Sequence, residues 1–238
     1  VTIADDVSDK PVAKIKANKA GYRGADVQVV AYRSYTDPSL AAHIIGTVRK
    51  INAEEYAELK DSGYGINDEI GESGIEKACE ADLRGTPGEK TVTIDAEGNV
   101  NETITKEPVQ GDTIVLTIDK DMQKIAEKKL RKICLKTSGV ATGAVVVEDV
   151  HSGEILSAAN YPTFNLDEYY SNYQKLASNS KKPLFNRFAM SAFAPGSTFK
   201  PLMAVAGLEE GKITKDTYFY CNHTFKISDM TFKCTGSH

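Results

Sequence analysis

Apolar positions recur along the chain with two periods, and each switch between them marks an element. Residues 26–35, DVQVVAYRSY, alternate as a short strand does, and residues 38–46, PSLAAHIIG, read as a short apolar helix entered through Pro38. Residues 52–63, NAEEYAELKDSG, predict a helix with Asn52 as N-cap, acids in the first turn and Gly63 at its end. Residues 71–88 predict another. Ser73 is its N-cap, and Glu76 three positions on completes a capping box. In residues 90–106, Val92, Ile94 and Ile104 alternate about a turn at Glu97-Gly98-Asn99, which predicts a hairpin.

The polar connection EPVQGD then places a domain boundary near residue 110, giving portions 1–110 and 111–238. Residues 112–118, DTIVLTI, predict a strand. A helix follows from Asp119 to Lys136, with Met122, Ile125, Ala126, Leu130, Ile133 and Cys134 as its apolar stripe. Residues 143–160 predict a buried hairpin with a His-Ser-Gly turn. A polar, Tyr-rich stretch of loop and short helix comes next. Residues 197–211 predict a helix closed by Gly211, and the remainder reads as irregular.

Composition narrows the classes. The 238 residues are 41% hydrophobic and 26% charged, enough for two modest domains or one large one with a sizeable core. The net charge is -4 and no dense basic stripe interleaves with aromatics, so nucleic acid is not an expected partner. No apolar run approaches the ~18 residues of a membrane span, and the polar opening VTIADDVSDK is not a secretory signal. Cys134 lies on the helix stripe as a small core residue, and Cys79 is read the same way. Cys221 and Cys234 flank a short segment. A bridge there would close a loop of about 14 residues and contribute ~3 kcal/mol in an oxidising compartment, but thiols at this spacing also stay free. His43, His151, His223 and His238 are scattered, with no zinc-like spacing, so neither a metal nor a cofactor is expected.

The chemistry concentrates at residues 194–203, APGSTFKPLM. Residues three apart on a helix share a face, which brings Ser197 and Lys200 together. Pro201 has no N–H and is tolerated only in a first helical turn, so the helix cannot begin much before Ser197. The serine then stands at the positive end of the helix dipole, where an oxyanion is stabilised. A serine needs a base to become a nucleophile, and a lysine serves only when neutral, a state favoured by burial and neighbouring cations. This pairing suits acyl transfer. By itself Ser-x-x-Lys is common, and its bland reading is an N-cap serine beside a solvated lysine.

The context is more specific. NRFAMSAFAPGSTFKPLMAVAGLEEGKI (186–213) closely resembles the nucleophile region of penicillin-binding proteins. GAVVVEDVHSGEILSAANYPTFNLDEY resembles the first two core strands of their transpeptidase domain, and GDTIVLTIDKDMQKIAEKKL its connection and first helix. SLAAHIIGTVRKINAEEYAELKDSGY and GESGIEKACEADLRGTPGEKTVTID are similar to the N-terminal pedestal of the class B, monofunctional members. The order is the family's, and the likeness covers nearly the whole chain.

The resemblance implies an α+β architecture. A mixed pedestal or dimerisation module, 1–110, precedes part of a β-lactamase-like transpeptidase domain, 111–238, an antiparallel sheet with helices. It implies a peptidoglycan D,D-transpeptidase acting on D-Ala-D-Ala stem peptides through an acyl-serine, with Ser197 as nucleophile and Lys200 as general base, trapped by β-lactams. It further implies an upstream membrane anchor, an extracytoplasmic location and a membrane glycosyltransferase docked by the pedestal. Asn186-Arg187 precedes the nucleophile in the family and organises the domain, a structural role. The family's Ser-x-Asn and Lys-Thr-Gly motifs have no credible copy: KTSG (136–139), KCTG (233–236) and YSN (170–172) are misplaced or misspaced. The 238 residues are therefore expected not to turn over substrate alone, and the open edge of an incomplete sheet is expected to invite pairing. Two other roles remain open, a β-lactam-sensing receptor domain and a non-catalytic scaffold.

Overall fold

In the computed structural model, which describes residues 3–4, 7–18, 20–25, 27, 33–94, 100–137, 139 and 142–234, the chain forms two units, Val1–Met190 and Ser191–His238. The strand expected over 26–35 and the turn at 97–99 fall largely or wholly outside the described residues.

The first unit begins with helix α1 (Asp9–Ala17), which buries no side chain. The helix expected over 38–46 is reduced to a single turn, α2 (Ala42–Ile45). The reason is local: Ala41 adopts a left-handed backbone with φ 54°, so the helix starts only after it. Gly46 ends α2 at φ 91°, and a Cβ there would stand 1.9 Å from the Ser73 carbonyl oxygen, so the site admits only glycine. Strand β1 (Val48–Lys50) leads to α3 (Ala53–Leu59). Here the cap forms as expected: the Glu55 N–H donates to Asn52 Oδ1 at 2.9 Å and the Asn52 N–H returns to Glu55 Oε2 at 3.1 Å. Strand β2 (Glu69–Gly71) pairs antiparallel with β1.

Helices α4 (Gly74–Ala78) and α5 (Glu80–Leu83) replace the single helix expected after Ser73. The capping box predicted there does not form. Ser73 Oγ instead accepts from the Thr47 N–H at 3.1 Å, while Glu76 takes a bidentate bond from Arg33 at 2.8 and 2.8 Å. A paired guanidinium outcompetes one backbone amide for a buried carboxylate. Strands β3 (Glu89–Ile94) and β4 (Val100–Lys106) make the predicted hairpin.

Helix α6 (Lys120–Lys136) is capped by Asp119, whose Oδ1 accepts from the Met122 N–H at 2.7 Å. It packs on the antiparallel hairpin β5 (Gly143–Glu148) and β6 (Ile155–Tyr161) through Leu130, Cys134 and Ala159. The predicted stripe is rotated: Met122, Ile125 and Ile133 are exposed, and Gln123 is fully buried in their place. Gln123 can be buried because every polar atom it carries is paired. Its Nε2 donates to Ala158 O and Glu127 Oε1, both at 2.9 Å. Its Oε1 accepts from the Ala158 N–H at 2.8 Å and from Ser157 Oγ at 2.9 Å. Residues 112–118 form no ladder, contrary to the expected strand. Their ties to β6 are the Thr117 hydroxyl on Ile155 O, at 2.7 Å, and the Asp119 N–H on Leu156 O, at 2.9 Å. Helices α7 (Tyr169–Ala177) and α8 (Arg187–Met190) complete the unit. A second core gathers Ala42, Phe164, Leu166 and Tyr169, so the Tyr-rich stretch packs against α2.

The second unit contains a 3-10 turn, Gly196–Phe199, running into α9 (Lys200–Glu209). It also contains a hairpin that the sequence reading missed, β7 (Thr224–Ile227) with β8 (Met230–Lys233). Phe225 lies opposite Phe232 and Ile227 opposite Met230, apolar pairs across a short turn. Among the described residues no helix is long and apolar enough to cross a membrane.

Candidate active site

Gly196 delivers Ser197 to its position. At φ 57° it occupies left-handed backbone, and a Cβ there would meet nothing within 4 Å. The turn is closed by Thr198, whose N–H and hydroxyl both donate to Pro195 O, at 3.3 and 2.6 Å. The α-helix proper starts at Lys200, three positions later than the sequence pattern suggested. Pro201 explains the delay. An α-helical bond from position 201 would fall on Ser197 O, and proline has no N–H to make it. The Lys200 N–H takes that carbonyl instead, which is the tighter 3-10 pattern. In a 3-10 turn residues three apart eclipse, so Ser197 and Lys200 share one edge. Both are exposed, and neither side chain makes a hydrogen bond among the described residues.

The other end of α9 has the predicted stop. The Gly211 N–H donates to Leu208 O at 3.1 Å and the Lys212 N–H to Gly207 O at 2.9 Å, the paired bonds of a Schellman cap. GLEEGK is thus a helix terminus. Of KTSG, Lys136 and Thr137 lie at the C-terminal end of α6, and YSN lies on α7, where the Ser171 hydroxyl donates to Glu168 O and Asn172 Nδ2 to Glu168 Oε2.

Asn186-Arg187 is structural, as expected. Arg187 is buried, and its guanidinium donates to three carbonyls: Lys181 O at 2.5 Å, Lys182 O at 3.1 Å and Phe185 O at 3.2 Å. Burial lowers its pKa from the ordinary arginine value. The Asn186 side chain caps α8 by accepting from the Ala189 N–H at 3.2 Å. Cys134 is buried, Cys79 only half-buried, and Cys221 carries a free thiol, so the Cys221–Cys234 bridge is not formed here. Among the described residues no cluster of His, Cys, Asp and Glu is placed to hold a metal.

Two groups of residues escaped the sequence reading. His43, Asn160 and Thr163 form a buried polar cluster; Gln123 and Glu127 form a polar seam beside it. The signal for His43 was its place inside the apolar run SLAAHIIG, and for Asn160 its place ending the apolar strand ILSAAN.

Residues 1–116 match the model of the penicillin-binding protein dimerisation domain, and residues 143–235 that of the penicillin-binding protein transpeptidase domain. The chain is 32% identical over 217 residues to the peptidoglycan D,D-transpeptidase MrdA of Acinetobacter baumannii, covering 89% of this chain and 31% of that protein. It is 30% identical over 237 residues to MrdA of Salmonella typhimurium, covering 95% and 37%. It therefore spans about a third of the length of these relatives. Among solved structures, penicillin-binding protein PBP2 of Helicobacter pylori superposes with a TM-score of 0.66 at 27% identity, over 84% of this chain and 37% of that one. The complex of PBP2 with MreC from the same organism gives 0.68 at 28% identity, again over 84% and 37%. With a dimerisation portion followed by a transpeptidase portion, in sequence and in structure, the chain belongs to the class B penicillin-binding proteins.

Proposed function

We propose that the full-length protein is a peptidoglycan D,D-transpeptidase that works through an acyl-serine at Ser197. The observation that carries this reading is the Gly196–Phe199 turn, which sets Ser197 and Lys200 on one edge at the head of α9, inside the residues matched to the transpeptidase domain. The relatives' activity supports the substrate class. In the proposed step, Ser197 Oγ attacks the carbonyl carbon of the D-Ala-D-Ala amide and its proton passes to Lys200 Nζ. The first amides of a helical segment lack internal acceptors, so the Ser197 N–H is suited to bind the oxyanion. Collapse expels the terminal D-Ala, which leaves with the proton from Lys200. An amine of a neighbouring strand then attacks the acyl-serine, regenerates the hydroxyl and completes the cross-link. A β-lactam enters by the same attack, but its leaving group stays tethered.

Residues 1–110 serve as the dimerisation module and 111–238 as part of the catalytic domain, a division supported by the extents of the two matched models. The Helicobacter pylori relative is solved with MreC, which supports a protein-binding role for this protein too, and a membrane glycosyltransferase is a second proposed partner. The site of action is the extracytoplasmic face of the membrane, where stem peptides lie. The 238 residues alone do not turn over substrate, because the Ser-x-Asn and Lys-Thr-Gly elements are not among them. Intact-mass labelling with a penicillin tests the reading. Full-length protein gains the adduct, Ser197→Ala abolishes it, and this chain alone gains none. An unlabelled wild type would overturn the assignment of Ser197.

A further inference from the structure

The chain is acidic as a whole, with a net charge of -4, yet one stretch runs the other way. Residues 10–25 hold five cations, Lys10, Lys14, Lys16, Lys19 and Arg23, and no acid, with Asp9 directly before them and Asp26 directly after. The remaining residues therefore carry -9. Helix α1 lies in this stretch and buries no side chain; at its end the Asn18 N–H donates to Lys14 O at 3.2 Å. The chain then turns. The Gly21 N–H donates to Asn18 O at 3.1 Å and to Asn18 Oδ1 at 3.0 Å, and the Ala25 N–H donates to Tyr22 O at 3.0 Å. Tyr22 is thereby brought back against the helix, where Lys10, Pro11, Lys14, Ile15 and Tyr22 line a shallow cavity of about 290 Å³. Successive helical residues turn by about 100°, so Pro11, Val12 and Ile15 form one arc of α1 with Lys14 and Lys16 on its two flanks. Among the described residues Lys10, Lys14, Lys16 and Arg23 make no ion pair and no side-chain hydrogen bond.

Four apolar side chains are far fewer than a specific protein interface buries. A lipid surface asks for no matching shape. It takes apolar side chains at the acyl boundary and cations at the headgroups, which is the division of faces seen in α1. Lysine suits the border, because its stem lies along apolar surface while its ammonium reaches a phosphate. Each cation held close to anionic lipid strengthens binding about fivefold, and salt weakens it. A helix of nine residues is marginal in water without packing, and an apolar boundary would supply that packing.

We propose that α1 and the turn after it form a contact with an anionic lipid surface. Pro11, Val12, Ile15 and Tyr22 seat at the acyl boundary, and Lys10, Lys14, Lys16 and Arg23 meet lipid phosphates. The inference rests on the membrane-face location proposed above and makes no use of Ser197. It gives the acid-free stretch a role, tying the start of the dimerisation portion to the membrane surface.

Flotation of the 238-residue chain with vesicles tests it, using phosphatidylcholine alone or mixed with phosphatidylglycerol. The chain is expected to float with the mixed vesicles, to stay behind with the neutral ones, and to be released by high salt. At about fivefold for each cation, Lys10→Gln with Lys14→Gln is expected to weaken binding about 25-fold. Lys128→Gln with Lys132→Gln, an equal change at exposed positions of α6, leaves it unaltered. Ile15→Ser keeps every charge and is expected to weaken binding several-fold. Tyr22→Trp places a single tryptophan in a chain that has none, and its emission is expected to shift to the blue on the mixed vesicles. Since α1 buries no side chain, each of these variants melts as the wild type does, which checks the fold. No binding, equal binding to neutral vesicles, or indifference to the Lys10 and Lys14 changes would overturn the proposal. So would binding that ignores Ile15→Ser or brings no blue shift, which would leave a soluble polyanion or an acidic protein as the occupant. Penicillin labelling of the full-length protein is read separately, so a failure at Ser197 and a failure at α1 are told apart.

Discussion

At the scale of single residues, backbone conformation decides where the Ser197 hydroxyl stands. Gly196 is at φ 57° with open space where a Cβ would go, so Gly196→Ala meets no clash and pays only the left-handed penalty, about 1–2 kcal/mol. The native turn would compete with a relaxed one that carries Ser197 elsewhere. Penicillin acylation of the full-length variant should slow roughly tenfold while its melting temperature changes little. An unchanged rate would mean that the turn does not limit the presentation of Ser197. The two predicted helix caps show how such local rules succeed or fail. Among the described residues no distant group competes for the Asn52 side chain, and it caps α3 as its sequence implies. Ser73 and Glu76 carry an equally good pattern, but Thr47 and Arg33 arrive from distant positions and take both side chains. A capping box read from neighbours in sequence cannot see partners 26 and 43 positions away.

At the scale of elements, α6 shows why a helix can be legible while its orientation is not. The period and the Asp119 cap specify the helix, and Leu130 and Cys134 are correctly placed in the core. The face is turned by Gln123, which bonds both the N–H and the C=O of Ala158, as a neighbouring strand would. An apolar stripe drawn from composition has no place for such a residue. Gln123→Leu keeps the volume but strands the Ala158 amide and carbonyl and the Ser157 hydroxyl. At about 1–3 kcal/mol for each buried unpaired group, the expected loss exceeds ~3 kcal/mol. It is read as a lower urea midpoint at unchanged m-value. A loss below 1 kcal/mol (about the worth of a single hydrogen bond) would mean that water reaches the seam. The same limit explains residues 112–118, apolar like a strand yet without a ladder, and the β7–β8 hairpin, whose apolar alternation was obscured by its polar, turn-rich surroundings. The turn that carries Ser197 and Lys200 was legible because its geometry is set by nearby glycine and proline. The His43 cluster was not, because it depends on residues more than a hundred positions apart.

At the scale of the molecule, two titratable groups at the joint between portions respond to pH in opposite directions. Burial holds the His43 pKa down at about 4, against 6.5 in the open, with the Arg187 guanidinium adding to the effect and the Pro183 carbonyl opposing it. Unfolded chains bind this proton below pH 6.5, and the folded one does not until about pH 4. The stabilisation is therefore complete above pH 6.5 and is lost as the pH falls through that window, by ~3 kcal/mol in all. Glu127 works the other way. Burial raises its carboxyl pKa, against the bonds from Gln123 and the Ala41 amide, so its contribution is present in acid and declines as the pH rises through its folded value. Subtracting a variant that lacks only the histidine separates the two. With no tryptophan in the chain, unfolding is followed by tyrosine emission, to which Tyr169 in the joint contributes. Between pH 6.5 and 4 the wild-type midpoint should fall steeply, and that of His43→Phe should fall by clearly less. Parallel curves would assign the acid sensitivity to the carboxylates, with His43 already protonated in the folded joint. A steeper wild-type curve would show that the folded chain keeps the His43 imidazole neutral well below pH 6.5.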